Sequence, residues 1–418
     1  MNQEIKRTVQ KRKVSDIIFK EDVYARFEPD QRLISSYEEN IEPIIAETKI
    51  QISINNILID GYHRLKAIER VYGKDYEMEC IVHETDNTDY IELESYAANE
   101  KHGKKNSKAE TVRNIQRLYA KGHNQETIMS KLSIAKSIFF NATTKQRKSE
   151  KDERDKKVIE LYLRAWNTQQ GIADVLRITK QTVSNIIDLS NNSTHGVFGQ
   201  NFTPLLYNIW NVNKQDNERK HFGAFPEIFM QNLIHYHTDP MDIIFDPFGG
   251  GGTTIDVCKQ MVRRYYVSDR KVIPGREKDI KEHDIVNGLP DDLQKPKLVF
   301  LDPPYWKQAE GKYSEDAEDL GNMALNEFNS SMENLFSEIS KRKIDKIAVV
   351  IQPTQYSNDF KWQDHIFDFD KMLPGYKIVM RYILPYSTQQ YQPQNVIKAK
   401  EENKCLCLNR DLVIWERL

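Results

Sequence analysis

A carboxylate followed by two prolines and an aromatic ring, Asp302-Pro303-Pro304-Tyr305, lies about fifty residues beyond a glycine-rich stretch, Asp246-Pro-Phe-Gly-Gly-Gly-Gly-Thr-Thr254. The prolines fix two φ angles and remove two N–H donors, so the Asp302 carboxylate and the Pro303 carbonyl form a rigid row of acceptors. Such a row suits a flat base with an exocyclic amine: the acceptors take the two amine protons, and Tyr305 offers a face on which the ring stacks. Held in that way, the nitrogen aims its lone pair at an electrophile. A Pro-Pro turn that merely ends a strand is the alternative for this stretch taken alone.

The apolar runs Asp242 to Phe245 and Leu298 to Leu301 precede the two stretches and read as buried parallel strands, which puts both stretches where α/β sheets hold ligands. Glycines after a strand let the backbone turn sharply and approach a ligand, with free N–H groups at the next helix N-terminus. Thr253 and Thr254 are expected to cap that helix. The stretch lacks the G-x-G-x-x-G spacing of a dinucleotide site. It reads as the seat of a nucleotide-like ligand, with a ligand-free turn as the other reading.

Taken together and in this order, these segments resemble the amino-methyltransferases that use S-adenosylmethionine to methylate adenine N6 or cytosine N4 in DNA. The resemblance runs from about Asn201 to Leu418. It implies an α/β Rossmann-like methyltransferase domain with a seven-stranded sheet whose last strand runs antiparallel between its neighbours. His221 to Glu227, with Leu233 and Ile234, is similar to the family's opening helix beside the cofactor. The resemblance implies cofactor contacts from Asp246, Phe248, Gly250, Gly252, Thr253, Asp269 and Asp284, Asp269 accepting from the ribose hydroxyls and Asp284 lying near the adenine edge. It implies catalysis by Asp302, Pro303, Pro304 and Tyr305. An Asp before Pro-Pro-Tyr favours N6-adenine. N4-cytosine, an RNA substrate, and a regulatory DNA-binding protein with an inactive methyltransferase half are the other readings, and turn or capping roles are the duller ones for Asp269 and Asp284.

Further apolar runs, Lys346 to Ile351, Lys377 to Leu384 and Asp411 to Trp415, supply the remaining strands. Glu327 to Arg342 has helical spacing, with Phe328, Met332, Leu335, Phe336 and Ile339 on one core-facing stripe. Gln389 to Gln394 reads as a loop near the catalytic edge.

Ahead of this domain the sequence divides into residues 1–100 and 101–195. In the first, Leu58-Ile-Asp-Gly-Tyr-His-Arg-Leu-Lys-Ala67 passes from strand to helix and resembles the D-G-x-H-R-x-x-A signature of the small α+β ParB and sulfiredoxin-like fold. That resemblance makes Gly61, His63 and Arg64 candidate phosphate-binding residues. Tyr62 stands where sulfiredoxins carry their reactive cysteine, which excludes that chemistry. Asn99 to Gly103 matches only part of a second phosphate-binding segment, so CTP stays an open partner beside a salt-bridged turn built on Arg64.

The middle region is helical and basic. Lys101 to Lys157 holds sixteen Lys or Arg against six Asp or Glu, a local excess of about +10 inside a chain whose net charge is −2. Phosphate-binding surfaces need such an excess, although Lys145 to Lys157 mixes both signs as a solvated helix does. Asn167 to Ile187 reads as a helix-turn-helix: Thr168 caps a first helix, Ile172, Ala173 and Leu176 face inward, and Val183, Ile186 and Ile187 repeat the pattern. Lys180, Gln181, Thr182, Ser184 and Asn185 then point outward as candidate DNA-binding residues. Asn124 to Phe140 is a weaker copy, and two helices packed for structure alone are the alternative for both.

The 39% hydrophobic and 29% charged content is that of a globular protein, and no apolar run approaches a membrane span. The start lacks an apolar signal region, so the cytoplasm is the expected compartment. Cys405 and Cys407 are expected on one face of a strand-like segment, with neither a disulfide framework nor a metal site implied. Double-stranded DNA is the expected partner, and a dimer is left open.

Overall fold

The computed structural model describes residues 5–101, 106–211, 225–307, 319–355, 362–386 and 393–418, with the side chains of 100, 101 and 191–201 left aside. His221 to Ala224, His102 with Gly103, and Gln389 to Gln392 therefore lie outside the described residues. Two compact units, Met1–Glu153 and Arg154–Leu418, share the chain.

In the first unit, β1 (Arg7–Lys13), β2 (Ile50–Ser53), β3 (Leu58–Asp60) and β4 (Glu77–His83) form a mixed sheet in the order β1-β4-β2-β3. β1 alternates exposed with half-buried residues, as an edge strand with one wet face must. Helices α1 (Gln31–Glu39), α2 (Ile41–Glu47) and α3 (Tyr62–Tyr72) accompany this sheet, whose core holds Ile34, Ile52, Leu65 and Val82. A helical layer follows: α4 (Thr88–Lys101), α5 (Lys108–Ala120), α6 (Gln125–Lys131) and the start of α7 (Lys136–Leu163) bury Tyr96, Ile115, Leu118, Ile128 and Phe139.

The second unit begins inside α7 and adds α8 (Gln169–Leu176), α9 (Lys180–Asn201) and α10 (Glu227–His237) before its sheet. The strands are β5 (Ile243–Asp246), β6 (Arg264–Asp269), β7 (Lys281–Glu282), β8 (Leu298–Leu301) and β9 (Lys346–Ile351). A small hairpin, β10 (Thr354–Gln355) with β11 (Trp362–Gln363), separates these from β12 (Tyr376–Pro385) and β13 (Asn409–Arg417). The large sheet has seven strands in the order β12-β13-β9-β8-β5-β6-β7. β13 runs antiparallel to both β9 and β12, as the sequence leads one to expect, and Val413 and Trp415 are fully buried in it.

Every residue of β5 and β8 is buried, so their continuous apolar runs serve two core faces at once. One face packs Phe245, Val299 and Trp415 against Phe328, Met332, Leu335, Phe336 and Ile339 of α12 (Leu325–Lys341) and Phe369 of α13 (His365–Met372). The other packs Ile244, Phe300 and Ile414 against α10 and Ile255 and Val257 of α11 (Thr253–Met261). Among the described residues no helix is long and apolar enough to cross a membrane.

Two arrangements differ from what the sequence suggests. The units divide at 153/154, inside the region read as one middle domain, because the chain after α7 is tied to β6. Ala165 N–H donates to the Tyr265 carbonyl at 2.8 Å, Arg164 Nε reaches Asp279 Oδ1 at 2.8 Å, and Trp166 meets the Tyr266 ring edge-on. The buried Arg264 guanidinium donates to the carbonyls of Tyr162 and Ala165 at 3.0 and 3.1 Å and lies over the Tyr162 ring, so α8 and α9 belong with the large sheet. The second concerns Cys405 and Cys407, which share no strand face: Cys405 is exposed and Cys407 buried. The Gln355 side chain bonds the Cys405 carbonyl and the Cys407 N–H at 2.8 Å each, which fixes that segment as irregular chain following α14 (Pro393–Glu401).

Candidate active site

β5 and β8 are parallel neighbours, paired at Ile244 with Leu298 and Phe245 with Val299, so the glycine-rich loop and the Asp-Pro-Pro-Tyr loop leave the sheet side by side at its carboxyl edge. β6 flanks β5 on its other side and ends at Asp269. β13 enters this edge from the opposite direction, its Asp411 paired with Ile351 at the end of β9.

Within the glycine-rich loop, Asp246 is only 2% exposed and acts as an internal brace: Oδ1 accepts the Phe248 N–H at 2.9 Å, and Oδ2 accepts the Thr254 hydroxyl at 2.5 Å. Burial pushes this carboxyl up to about 7, and the negative charges of Asp302 and Asp269 act in the same sense against the two hydrogen bonds. The expected threonine caps are absent. Gly252 holds the N-cap of α11 at φ +83° without a side-chain bond, and the Thr254 hydroxyl goes to Asp246 instead. Gly250, at φ +44°, donates its N–H to Asp269 Oδ2 at 2.8 Å, while Asp269 Oδ1 accepts the Lys271 N–H.

Asp284 caps the turn at Ile285–Asn287 through the Val286 N–H and pairs with Arg270 Nε at 3.3 Å. Phe248 is half-buried against the core and Thr253 is buried. Gly249 is a residue the sequence reading passed over. Its N–H bonds the Ser268 carbonyl, and a Cβ there would stand 2.5 Å from Val267 Cγ1 and 3.2 Å from Ser268 O, so only glycine lets the loop lie flat on β6.

At the second loop Pro303 is buried, Pro304 half-buried, and Asp302 keeps partial contact with solvent. The Tyr305 hydroxyl donates to Asp302 Oδ1 at 3.0 Å. Burial raises the Asp302 carboxyl to about 6, with the positive charge of Arg410 and then the Tyr305 bond holding it from going further. Burial and the neighbouring Asp302 charge push the Tyr305 phenol well above its usual value, so it stays a neutral donor. Trp306 is buried and anchors the loop through its indole N–H to the Met323 carbonyl at 2.9 Å. Arg410 was also missed: its guanidinium lies 5.0 Å from the Tyr386 ring and 5.7 Å from Phe225. The only signal in the sequence is a charged Asn409-Arg410-Asp411 step at the start of an apolar closing strand.

The helix-turn-helix residues lie apart from this edge in sequence and on their own pair of helices. Thr168 caps the Gly171 N–H and Thr179 caps the Thr182 N–H, while Ile172, Ala173, Val183, Ile186 and Ile187 close the core between α8 and α9. Lys180, Gln181 and Asn185 are exposed, the latter two hydrogen-bonded at 2.9 Å, and Thr182 and Ser184 are half-buried. Thr182 shares its hydroxyl with Thr179, which engages it within the turn.

In the first unit Gly61 adopts φ +102° at the start of α3, His63 Nε2 accepts the Asp30 N–H at 2.9 Å, and Arg64 pairs with Asp60 at 2.8 Å. This is the salt-bridged turn among the two sequence readings. A cavity of about 410 Å³ adjoins it, lined by Tyr24, Arg26, Gly61, Tyr62 and Arg64 among others.

A family model described as DNA methylase matches residues 70–272, a span that includes the glycine-rich loop and ends before Asp302. Two curated proteins, the type II methyltransferases M.XycI of Xanthomonas campestris pv. cyanopsidis and M.Cfr9I of Citrobacter freundii, are each 40% identical to the chain over 57 residues, 14% of it. The match spans 19% of the length of each relative. Among solved structures, an rRNA methylase from Streptococcus thermophilus is 12% identical and covers 47% of this chain and 98% of its own, at a TM-score of 0.28. A Pnob8-like ParB-N domain is 16% identical and covers 31% of this chain and 52% of its own, at a TM-score of 0.24.

Gly249→Ala is expected to cost about 1–3 kcal/mol of stability by overpacking against β6, and to weaken S-adenosylhomocysteine binding several-fold. Thermal unfolding and equilibrium titration check both, and wild-type values in the variant would contradict the close approach.

Proposed function

We propose that this protein methylates the N6 amine of adenine in double-stranded DNA, with S-adenosylmethionine as donor, in the cytoplasm. One observation carries the reading: a half-buried carboxylate beside two prolines and a tyrosine opens on the same sheet edge as a glycine-rich loop braced by Asp246 and Asp269. N4 of cytosine has the same amine chemistry. The Asp at 302 is what favours adenine, on the resemblance of Asp302-Pro-Pro-Tyr305 to the family's motif.

The cofactor fits the residues present, because the loop of Gly249 to Gly252 brings backbone against β6 without side chains in the way, and Asp269 ends that strand as a hydrogen-bond acceptor. Phe248, Gly250, Gly252, Thr253, Asp269 and Asp284 would hold it. When bound it supplies an electrophilic sulfonium methyl. The chain's own work is positional: a target base leaves the duplex stack and lies on Tyr305, and its amine donates to Asp302 and to the Pro303 carbonyl. The Tyr305 bond occupies Asp302 Oδ1 and leaves Oδ2 to accept the amine proton. Two acceptors on one amine concentrate its lone pair, and a cleft that holds the base and the cofactor together would make their encounter an intramolecular one. As the nitrogen gains positive charge, the Asp302 carboxylate stabilises it in a low-dielectric cleft.

Sequence selection falls to α9, where Lys180, Gln181 and Asn185 are exposed and able to meet base edges or phosphates, with Thr182 and Ser184 beside them. A nucleotide such as CTP in the first unit's cavity would have to draw Arg64 away from Asp60. Titration with labelled CTP decides that point: saturable binding lost in Arg64→Ala supports it, and no binding removes it.

Incubation with DNA and labelled S-adenosylmethionine, followed by digestion to nucleosides, is expected to yield N6-methyldeoxyadenosine. Asp302→Asn should abolish transfer while the cofactor still binds. Because the carboxylate must be ionised to accept the amine, activity is present above about pH 6 and is lost as pH falls through that value. Label in N4-methyldeoxycytidine or in ribonucleosides would replace the substrate, and turnover by Asp302→Asn would remove the assignment of Asp302.

A further inference from the structure

The weaker of the two helix-turn-helix segments is built on the same plan as the stronger, position for position. Asn124 caps α6 by accepting the Thr127 N–H at 2.8 Å, as Thr168 caps α8 by accepting the Gly171 N–H at 3.0 Å. At the same remove from each cap, Ser133 and Arg177 turn the chain at φ +51° and +54°. The next residues, Ile134 and Ile178, close that turn with N–H bonds to the Met129 and Ala173 carbonyls at 3.1 and 3.0 Å. Ile128 and Phe139 pack α6 and α7 together with α5, where Ile172 and Val183 join α8 to α9. The first unit therefore holds a helix-turn-helix of its own, with the start of α7 in the place of α9.

The two second helices differ in charge. From Lys136 to Lys151, α7 has five Lys or Arg and one acid, Glu150, whereas α9 from Lys180 to Ser190 has one of each, Lys180 and Asp188. Glu150 turns toward α5 and accepts the Tyr119 hydroxyl at 2.8 Å, and Gln146 on that side bonds the Gln116 carbonyl at 3.3 Å. Lys136, Arg147, Lys148 and Lys151 recur at helical spacing on the other side, exposed, with Thr144 among them. Arg147 and Lys136 lie over the Phe140 ring at 4.3 and 5.7 Å, and none of these four cations forms an ion pair among the described residues.

Like charges along one helix face repel, and this face is about 22 Å long. A polyanion whose charges repeat along a line relieves that repulsion. Duplex DNA does so with a gain independent of sequence, because each neutralised phosphate releases counterions. The shape agrees, since the second helix of such a unit enters the major groove between the phosphate rows. A single strand would instead need open aromatic faces for its bases, and Phe140 is covered by Arg147 and Lys136.

We propose that α6 and the first half of α7 form a second duplex-DNA-binding element, which grips the phosphate backbone through Lys136, Arg147, Lys148 and Lys151 and supplies sequence-independent affinity. It rests on the DNA-methylating reading for its partner, but binding is read without cofactor or turnover.

The full chain is titrated with fluorescein-labelled duplexes of two unrelated sequences, with fluorescence anisotropy read at several salt concentrations. The variant Arg147→Gln/Lys148→Gln/Lys151→Gln is expected to bind both duplexes about tenfold or more weakly, by the same factor, and to lower the slope of log Kd against log salt by about 2–3. The control Lys11→Gln/Lys13→Gln/Lys74→Gln, which removes the same charge from exposed positions of the same unit, should stay near wild type. Equal losses in both variants, an unchanged slope in the first, a loss confined to one sequence, or no duplex binding by the wild type would each overturn the proposal. Tighter binding of an RNA duplex than of the DNA would overturn the choice of partner. Should the triple variant unfold, Lys148→Gln alone must lower the slope by about 1, and an unchanged slope overturns the proposal. A chain that grips DNA through α7 yet transfers no methyl group keeps this proposal and removes the methyl-transfer reading. Methyl transfer to DNA with an unchanged slope does the reverse.

Discussion

A carboxylate drawn into a protein needs donors to face it, and this requirement organises the sheet edge. Asp246 accepts two hydrogen bonds inside its own loop, Asp269 accepts two backbone N–H groups, and Asp302 accepts one phenol. The first two acids are spent on shaping the glycine-rich loop. Asp302 is the least committed of the three, and it is the one beside the paired prolines. The proposed amine acceptor has to be in that condition, not saturated by the protein's own donors.

The same economy explains why the sheet closes with an antiparallel strand. β13 lies between β9 and β12, and its reversed direction puts its first residues, not its last, at the edge where the parallel strands end. Arg410, next to Asp411, comes to this edge only because of that reversal. A parallel seventh strand would deliver its carboxyl end there, and this chain's closing strand ends in Glu416 and Arg417 beside Lys346 and Tyr376 at the far end of the sheet.

Much of the large sheet and the pair of loops at its carboxyl edge was legible because the informative residues are contiguous. Asp302-Pro-Pro-Tyr305 and Asp246 to Thr254 each carry their meaning within one short stretch, and the apolar runs of β5 and β8 announce strands buried on both faces. The stripe on α12 and the Thr168 cap of α8 were legible for the same reason, since helical spacing and an N-cap threonine are local signals. What escaped was long-range. Arg410 and Tyr386 meet the site through strand register, Gly249 is required by the approach of β6, and Arg264 ties α7 to the sheet from about a hundred residues away. The threonines after the glycines looked like caps, yet a buried acid eight residues earlier claimed the hydroxyl of Thr254. Local pattern names an element, and only packing says which partner a polar side chain chooses.

The account stands or falls on one shared cleft between the ends of β5 and β8. A structure of the protein with S-adenosylhomocysteine tests this most directly. The ligand is expected over Gly249 to Gly252, its ribose hydroxyls at Asp269 and its sulfur facing Asp302. A ligand bound on another part of the molecule, or a sulfur turned away from Asp302 with protein between them, would contradict it.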